Sequence, residues 1–434
     1  MVGIELIADL HIHSKYSGAT SQRMNIAELV EFAKMKGLNI LGTGDALHPQ
    51  WVKELTRELN YIGDGLYSSN NGKVYFIAQV EVATIHKFNG KSRRIHHVIL
   101  MPSLEVAIQL SDVLKNYGDN QSDGRPILNI EPAELVEKVI ELERSNIVFP
   151  AHAWTPWWSM LGAFSGVDNI KECYGDMVKY IYAIETGLSS DPPMNWRVSW
   201  LDDYTLLSFS DSHSPYPYRI GREAVVFNLS KPSYREIFEA IKNKDPEKIL
   251  MTIEVPPEYG KYHWSGHRNC NFGPVEPREA RRLNYVCPVC RKKLTKGVDD
   301  RVEELADRPR NHMPDKRINY VHLIPLQELI ALSMGLEVEN ESKLNSVKVW
   351  REYEKLVKIF RNEFNILLKV PEEEIGKVAG IKLARIISIM REKKVKIKPG
   401  YDGVYGRIII DEEDSKEEYM KIKSLEDYIK DNGE

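Results

Sequence analysis

Apolar residues recur along the first half of the chain in short runs that end in polar, chemistry-bearing tips. The runs read GIELIADLHIH, LNILGTGDALH, KVYFIAQVE, RIHHVILMP, NIVFPAH and TLLSFSDSH. Each has the length of a strand and the Ile, Val, Leu and Phe enrichment of a buried one. Between them lie stretches with helical spacing, such as NIAELVEFAKMKG at 25–37, which closes on a glycine. Strand, polar tip, helix, strand is the rhythm of a parallel sheet. About seven repeats over roughly 250 residues suit a closed barrel, and such barrels carry reactive side chains at the C-terminal strand ends. From Tyr262 the rhythm stops: the segment 262–317 is poor in strands and holds three of the four cysteines. From about Ile318 the pattern turns helical. PLQELIALSMG ends in Gly, and SKLNSVKVWREYEKLVKIFRNEFNIL reads as one long amphipathic pattern. PEEEIGKVAGIKLARIISIMREKK opens on Pro and acids and closes on bases, as the helix dipole favours. PGYDGVYG marks a loop before a short strand, RIII. The expected division is an α/β barrel at 1–255, a finger segment at 256–317 and a helical domain at 318–434.

Composition narrows the class. With 42% hydrophobic and 28% charged residues the chain is globular, not disordered. Four cysteines in 434 residues exclude a disulfide scaffold. The start, MVGIELIADLH, has no basic flank or long apolar run, so no signal peptide is expected. No stretch approaches the roughly 20 apolar residues of a membrane helix. A cytoplasmic protein without membrane contact is expected.

The polar tips hold most of the histidines. His11 and His13 stand at i and i+2, so on a strand their imidazoles share one face and can reach one ion. Asp211 and His213 repeat that spacing. Asp45, His48, Glu81, His96, His97 and His152 lie at the other tips. Imidazole with carboxylate suits Zn, Mn or Fe, and a shared carboxylate suits two adjacent ions. Scattered structural histidines are the alternative for any one of them, less so for the set. Glu185, in AIETG, is either a lining residue or a buried structural carboxylate.

A second donor group differs in kind. His267-x2-Cys270 and Cys287-x2-Cys290 are paired knuckles that can hold one tetrahedral structural zinc, with His263 as an alternative fourth ligand. Residues 261–296 carry nine Lys or Arg against two acids, on a chain whose net charge is −4. A basic island on an acidic protein is the footprint of phosphate-backbone contact, or else a solvated face. Arg281, Arg282, Lys292 and Lys293 are its candidate DNA contacts. Aromatics crowd two tips: Trp154, Trp157 and Trp158, then Tyr216 and Tyr218. Trp157 and Tyr216 are candidates for stacking on unpaired bases; packing under the loops is the alternative.

The order DLHIHS, TGDALH, QVEV, IHHVIL, PAH and SDSH resembles the motif pattern of the polymerase-and-histidinol-phosphatase (PHP) domains. The resemblance implies a distorted (β/α)7 barrel whose trinuclear metal site hydrolyses phosphoesters. Carried over by motif, it implies ligands at His11, His13, Glu81, His97, His152, Asp211 and His213. His97 is preferred to His96 because the pattern is a His followed directly by an apolar strand. The second motif departs from the usual Thr-Asp-His; Asp45 fills the ligand position there, with His48 as a helper. Asp211, His213 and His48 are the expected catalytic residues. The stretch 14–18 offers no clear ligand where the pattern often has one, so two to three catalytic divalent ions (Zn, Mn, Mg or Fe) are expected beside the structural Zn.

Barrel, finger and helical region in that order resemble the endonuclease Q family over essentially the whole chain. That resemblance implies nicking of DNA on the 5′ side of a deaminated base (uracil, hypoxanthine, xanthine) or an abasic site, in DNA repair, with the base extruded from the duplex. The implied partners are duplex DNA carrying such lesions and replication or repair factors, with the chain acting as a monomer. Two other classes fit parts of the pattern. A histidinol-phosphate-type phosphatase would need the barrel but not residues 262–434. A non-catalytic DNA-binding accessory subunit would not need the ligand set.

Overall fold

The computed structural model describes residues 3–70 and 72–409. The last part of the expected helical domain, 410–434, lies outside the described residues, as does the final Ile of RIII. The fold is mixed α/β, with a central sheet and a C-terminal helical region. The strands that carry the site are β1 (Ile4–Asp9), β2 (Ile40–Gly42), β3 (Tyr75–Phe88), β4 (Lys91–Met101), β5 (Ile147–Pro150), β6 (Ala183–Glu185) and β7 (Thr205–Leu207). β1, β2 and β3 pair in parallel. β4 returns antiparallel to β3, and β5 lies antiparallel to β4. β6 and β7 pair in parallel. Single bridges, Val148–Ile181 and Ile12–Ser212, join this pair to β5 and to the end of β1, so the pairings lead from β1 back to β1. Beyond β1 the sheet continues through β8 (Ala224–Leu229), β9 (Ile249–Glu254) and β10 (Asn319–His322).

The unbroken alternation of strand and helix fails between β3 and β4. Asn89 and Gly90 take φ of 51° and 73°, the two positive-φ positions of a two-residue hairpin loop, which Asn-Gly favours. Elsewhere the helical reading fits. The helix Ile26–Lys36 is capped by the Asn25 side chain, which accepts from the Glu28 amide, and ends at Gly37 with φ 101°. The long amphipathic pattern of the C-terminal region is broken in three, Glu341–Leu344, Val347–Phe360 and Glu363–Leu368. Asn362 accepts from the Asn365 amide at 2.8 Å, and Arg361 turns the chain at φ 78°. An Asn cap competes with helix continuation at that point.

A buried ion pair seats the C-terminal helical region against the end of the helix Ile26–Lys36. Lys36 Nζ lies 2.7 Å from Glu363 Oε1, and donates also to the Pro217 carbonyl at 2.7 Å. Glu363 accepts further from Tyr353 Oη at 2.9 Å and the Leu326 amide at 3.0 Å, which satisfies a charge that would otherwise be costly to bury. Pro217 lies in the loop that begins at Asp211, so the helical region braces the site from behind. Among the described residues no helix is long and apolar enough to cross a membrane.

Candidate metal centre

The strand ends converge on one buried cluster. His11 Nδ1 lies 2.9 and 3.0 Å from the two Glu185 oxygens. A carboxylate only accepts, so Nδ1 carries a hydrogen and Nε2 is left to take a proton or a metal ion; that buried Nε2 has no hydrogen-bond partner. His13 Nδ1 lies 3.1 Å from Asp45 Oδ1, and its Nε2 lies 3.1 Å from Asp211 Oδ1 and 3.4 Å from Glu81 Oε2. With Nδ1 donating, a bare Nε2 lone pair would face two carboxylates. Only a cation between them, a proton or a metal ion, makes that arrangement favourable. His11, His13, Glu81 and Asp211 each offer a donor atom within 4.8 Å of the others, and Glu81, His96 and His152 do the same. Glu81 belongs to both groups and would contribute to holding an ion at either. Nitrogen and carboxylate oxygen in this mixture fit Zn, Mn or Fe.

The electrostatics agree with a site that holds positive charge. Burial drives the His11 imidazolium down, but Glu185, Glu81 and Asp211 together outweigh it and lift its pKa to about 9. Burial pushes the Glu81 carboxyl up, yet His96, His13 and His152 hold it well below its ordinary range. In the free chain His11, His13 and His152 therefore hold protons more tightly than an ordinary imidazole, and metal ions compete with those protons, so metal binding weakens as pH falls. Asp45, His152 and Asp211 all adopt positive φ, 46°, 30° and 48°. Such backbone costs roughly 1–3 kcal/mol per residue and persists where the surroundings fix it. Asp9 does part of the fixing. It accepts from the Ser210 amide at 3.0 Å, Ser210 Oγ at 2.5 Å and the Gly221 amide at 2.8 Å, which sets the loop that presents Asp211.

Three expected roles are corrected by these positions. His97 lies on the opposite face of β4 from Glu81, with its ring nitrogens 3.0 Å from Thr84 Oγ1 and 2.9 Å from Tyr174 Oη. His96 takes the place expected for it, its Nδ1 2.8 Å from Glu81 Oε1 and 3.3 Å from His152 Nε2. Asp45 is not among the clustered donors. Both its oxygens are taken, by His13 and Ser17 on one side and by the Ser14 amide and hydroxyl at 2.6 Å on the other, so it orients His13. His48 caps the helix Pro49–Glu58 through its Nδ1, which accepts from the Trp51 amide, while its Nε2 donates to the Gln121 carbonyl at 2.8 Å. Neither nitrogen is left for proton transfer. His213 stays at the mouth: its Nδ1 donates to the Asp211 carbonyl at 2.9 Å, leaving Nε2 as the ring's lone pair. Asp9 and Arg125, for which the sequence offers no role, take part in the site; His96, not preferred there as a ligand, stands with Glu81 and His152, and Glu185 is the partner of His11.

The face assignment of the two adjacent histidines is testable. His96→Gln is expected to lower the metal content and cut metal-dependent activity by about 100-fold or more, as loss of a ligand does. His97→Gln is expected to keep its metals but lose roughly 1–3 kcal/mol of stability, because Thr84 and Tyr174 lose a buried partner. Metal analysis and thermal unfolding of both variants decide it; equal metal loss in the two would overturn the assignment.

His267, Cys270, Cys287 and Cys290 form a separate group with donor atoms within 4.8 Å of one another. Cys290 Sγ lies 3.4 Å from His267 Nδ1. His263 is buried outside that group, stacked at 6.5 Å on Trp264. Arg281, Arg282, Lys292 and Lys293 are exposed, with Arg282 paired to Glu279 at 2.9 Å. Trp157 is 41% exposed and stacks on Phe164 at 5.0 Å. Tyr216 is more enclosed than a free stacking platform: Tyr218 stacks on it at 5.7 Å and the Arg23 guanidinium lies 4.9 Å from its ring.

Sheet and donor set together define an α/β protein with clustered histidine and carboxylate donors that could hold metal ions. Residues 325–394 match the model of the MJ0043 C-terminal domain family. The chain is 34% identical over 262 residues to the uncharacterized protein MJ0043 of Methanocaldococcus jannaschii, a match that covers 59% of this chain and 31% of that protein. It thus spans about a third of the length of that relative. The crystal structure of the lesion-specific endonuclease PfuEndoQ from Pyrococcus furiosus is similar at a TM-score of 0.83 and 35% identity, over 94% of this chain and 96% of that one. Endonuclease Q in complex with a 27-mer duplex carrying an abasic lesion at the active site is similar at 0.84 and 36%, over 94% and 98%. The chain belongs to the endonuclease Q family.

Proposed function

We propose that the chain is a metal-dependent DNA repair endonuclease that hydrolyses the phosphodiester 5′ to a deaminated base (uracil, hypoxanthine, xanthine) or an abasic site. The observation that carries the reading is the buried His11–His13–Glu81–Asp211 cluster, with its partnerless His11 Nε2, in a chain that matches an abasic-duplex complex over 94% of its length. The ring of pairings from β1 through β7 is read as a distorted PHP-type seven-stranded barrel within residues 1–255. Residues 256–317 are read as a zinc finger and 318–434 as a helical DNA-contacting domain. Ligand roles fall to His11, His13, Glu81, His96, His152 and Asp211, with His213 at the mouth, and a structural zinc falls to His267, Cys270, Cys287 and Cys290.

When bound, two to three divalent ions would supply an activated water and neutralise charge on the phosphoryl oxygens. The chain's own residues do the placing. Glu185 and Asp45 fix the His11 and His13 tautomers so that each Nε2 faces the cluster. Water adds to phosphorus, the bond from phosphorus to the 3′-oxygen breaks, and that oxygen leaves as a 3′-hydroxyl while the 5′-phosphate stays on the lesion side. Exposed Arg281, Arg282, Lys292 and Lys293 hold the backbone, which positions the duplex without reading sequence. An extruded lesion exposes the base edge that distinguishes uracil from cytosine.

The test is a duplex with one abasic site or one uracil, incubated with the chain and Mn or Mg, with product ends mapped. A nick 5′ of the lesion, lost on chelation and absent from undamaged duplex, is the expected result. Phosphate release from small phosphomonoesters with no nick in either lesion duplex would overturn the reading.

A further inference from the structure

The cluster has a floor and a mouth. His11, His13 and Glu81 are fully buried, while the side chains of Asp211, His213 and Arg125 are 32%, 32% and 30% exposed. Any phosphate reaches the site from that side. Of the three mouth groups Asp211 is a carboxylate and His213 is an imidazole whose Nδ1 donates to the Asp211 carbonyl. Arg125 supplies the fixed positive charge: its Nη1 lies 3.1 Å from Glu81 Oε2.

The loop that carries Arg125 is held on three sides. The Gln121 carbonyl accepts from His48 Nε2 at 2.8 Å. The Gly124 amide donates to the Tyr16 carbonyl at 3.0 Å, and the Gly18 amide to the Asp123 carboxylate at 3.3 Å. The Pro126 carbonyl accepts from the Ala83 amide of β3 at 3.0 Å. Gly124 is pressed onto the site: a Cβ there would lie 2.4 Å from Asp45 Cγ and 2.7 Å from Ser17 Oγ. His48 thus has a task after all, as an anchor of this loop. The result is one guanidinium aimed at the metal cluster from a braced backbone.

We propose that Arg125 is a catalytic residue whose guanidinium binds a non-bridging oxygen of the scissile phosphate. This rests on the nuclease reading above. A guanidinium carries five N–H donors in a planar fork, and the Glu81 contact uses one nitrogen. The others remain for an oxygen seated at the mouth. Charge fixed in place before the reaction stabilises the charge that develops on phosphoryl oxygens without reorganisation. The rival role is assembly, in which Arg125 only holds Glu81 in position for metal.

The two roles predict opposite signs for metal affinity. Removing a cation beside Glu81 lowers repulsion on an incoming ion. For Arg125→Gln, Mn titration of the metal-free chain is therefore expected to show binding several-fold tighter. Single-turnover cleavage of the abasic duplex by the Mn-loaded variant is expected to fall by roughly 10²–10³. Arg125→Lys keeps the charge without the fork and is expected to recover only part of the rate. Metal binding that weakens in Arg125→Gln, or cleavage that stays at the wild-type rate, would overturn the proposal. Failure of the wild-type chain to cut lesion duplex would sink the nuclease reading and this inference together. The Mn titration involves no DNA, so a reversed sign there sinks Arg125 alone.

Discussion

Asp211→Asn is expected to abolish cleavage while leaving binding to an abasic duplex within a few-fold of wild type. The Asp211 carboxylate lies 3.1 Å from His13 Nε2 and 3.6 Å from His11 Nε2, so it completes the donor group. Its own ionised form is strongly favoured: burial opposes the charge, but His13, His11 and His213 outweigh it and hold the pKa far below the ordinary carboxylate range. The fold does not depend on that charge. The backbone at Asp211 has φ 48°, a region that Asn adopts as readily as Asp, and Asn has nearly the same shape. An amide cannot supply the missing negative charge to a cation shared with two imidazoles. Residual nicking is expected below about 1% of wild type, in keeping with loss of a group that neutralises and places an ion. Activity well above that level in a metal-replete variant would remove Asp211 from the ligand set.

Much of this site was legible, and the misses have physical causes. The i, i+2 spacing of His11 and His13 placed both on one face, and both nitrogens do meet the cluster. The choice between His96 and His97 went wrong because it used the character of the following residues and not register. Asn89-Gly90 is a hairpin signal. With it, Phe88 pairs with Lys91 and Ala83 with His96, and Glu81 shares the face of Ala83 and His96 by simple alternation. Asp45 was misread for a different reason. The stretch 14–18 offers no metal ligand; it offers Ser14 and Ser17, whose hydroxyls, with the Ser14 amide, saturate the Asp45 carboxylate. His48 stands just before Pro49, the first-turn position that proline prefers, and that is the place of a cap. Arg125 had no local signal. It lies in an irregular loop far from any histidine in sequence, and only the packing of that loop against Tyr16, His48 and β3 brings it to Glu81.

Replacing Cys287 and Cys290 together by Ser is expected to remove one zinc per chain and unfold the segment around them. The donors of His267, Cys270, Cys287 and Cys290 lie within 4.8 Å of one another, a spacing that suits one ion. The Cys287 thiol is primed for it. Desolvation raises its pKa, but the amides of Cys290 and Val289 and the His267 ring outweigh that and bring it to about 7. Thiolate is the form that binds zinc. Few apolar side chains hold the segment otherwise, beside polar ties such as Arg268 and Thr295 to Asp402. From Gly266 to Lys296 its buried apolar side chains are Val275, Pro277, Ala280, Cys287 and Leu294, beside a short hairpin of Ser265–His267 with Phe272–Val275. Zinc binding in such small domains is worth on the order of 10 kcal/mol and is folding free energy. The same segment carries Arg281, Arg282, Lys292 and Lys293, so duplex affinity is expected to fall as their geometry is lost. The histidine–carboxylate centre shares no donor with this group and is expected to keep its metals. Metal analysis and limited proteolysis of the double variant are the measurements. A zinc count equal to wild type, or a segment as protease-resistant as before, would mean that packing and not metal holds the knuckles together.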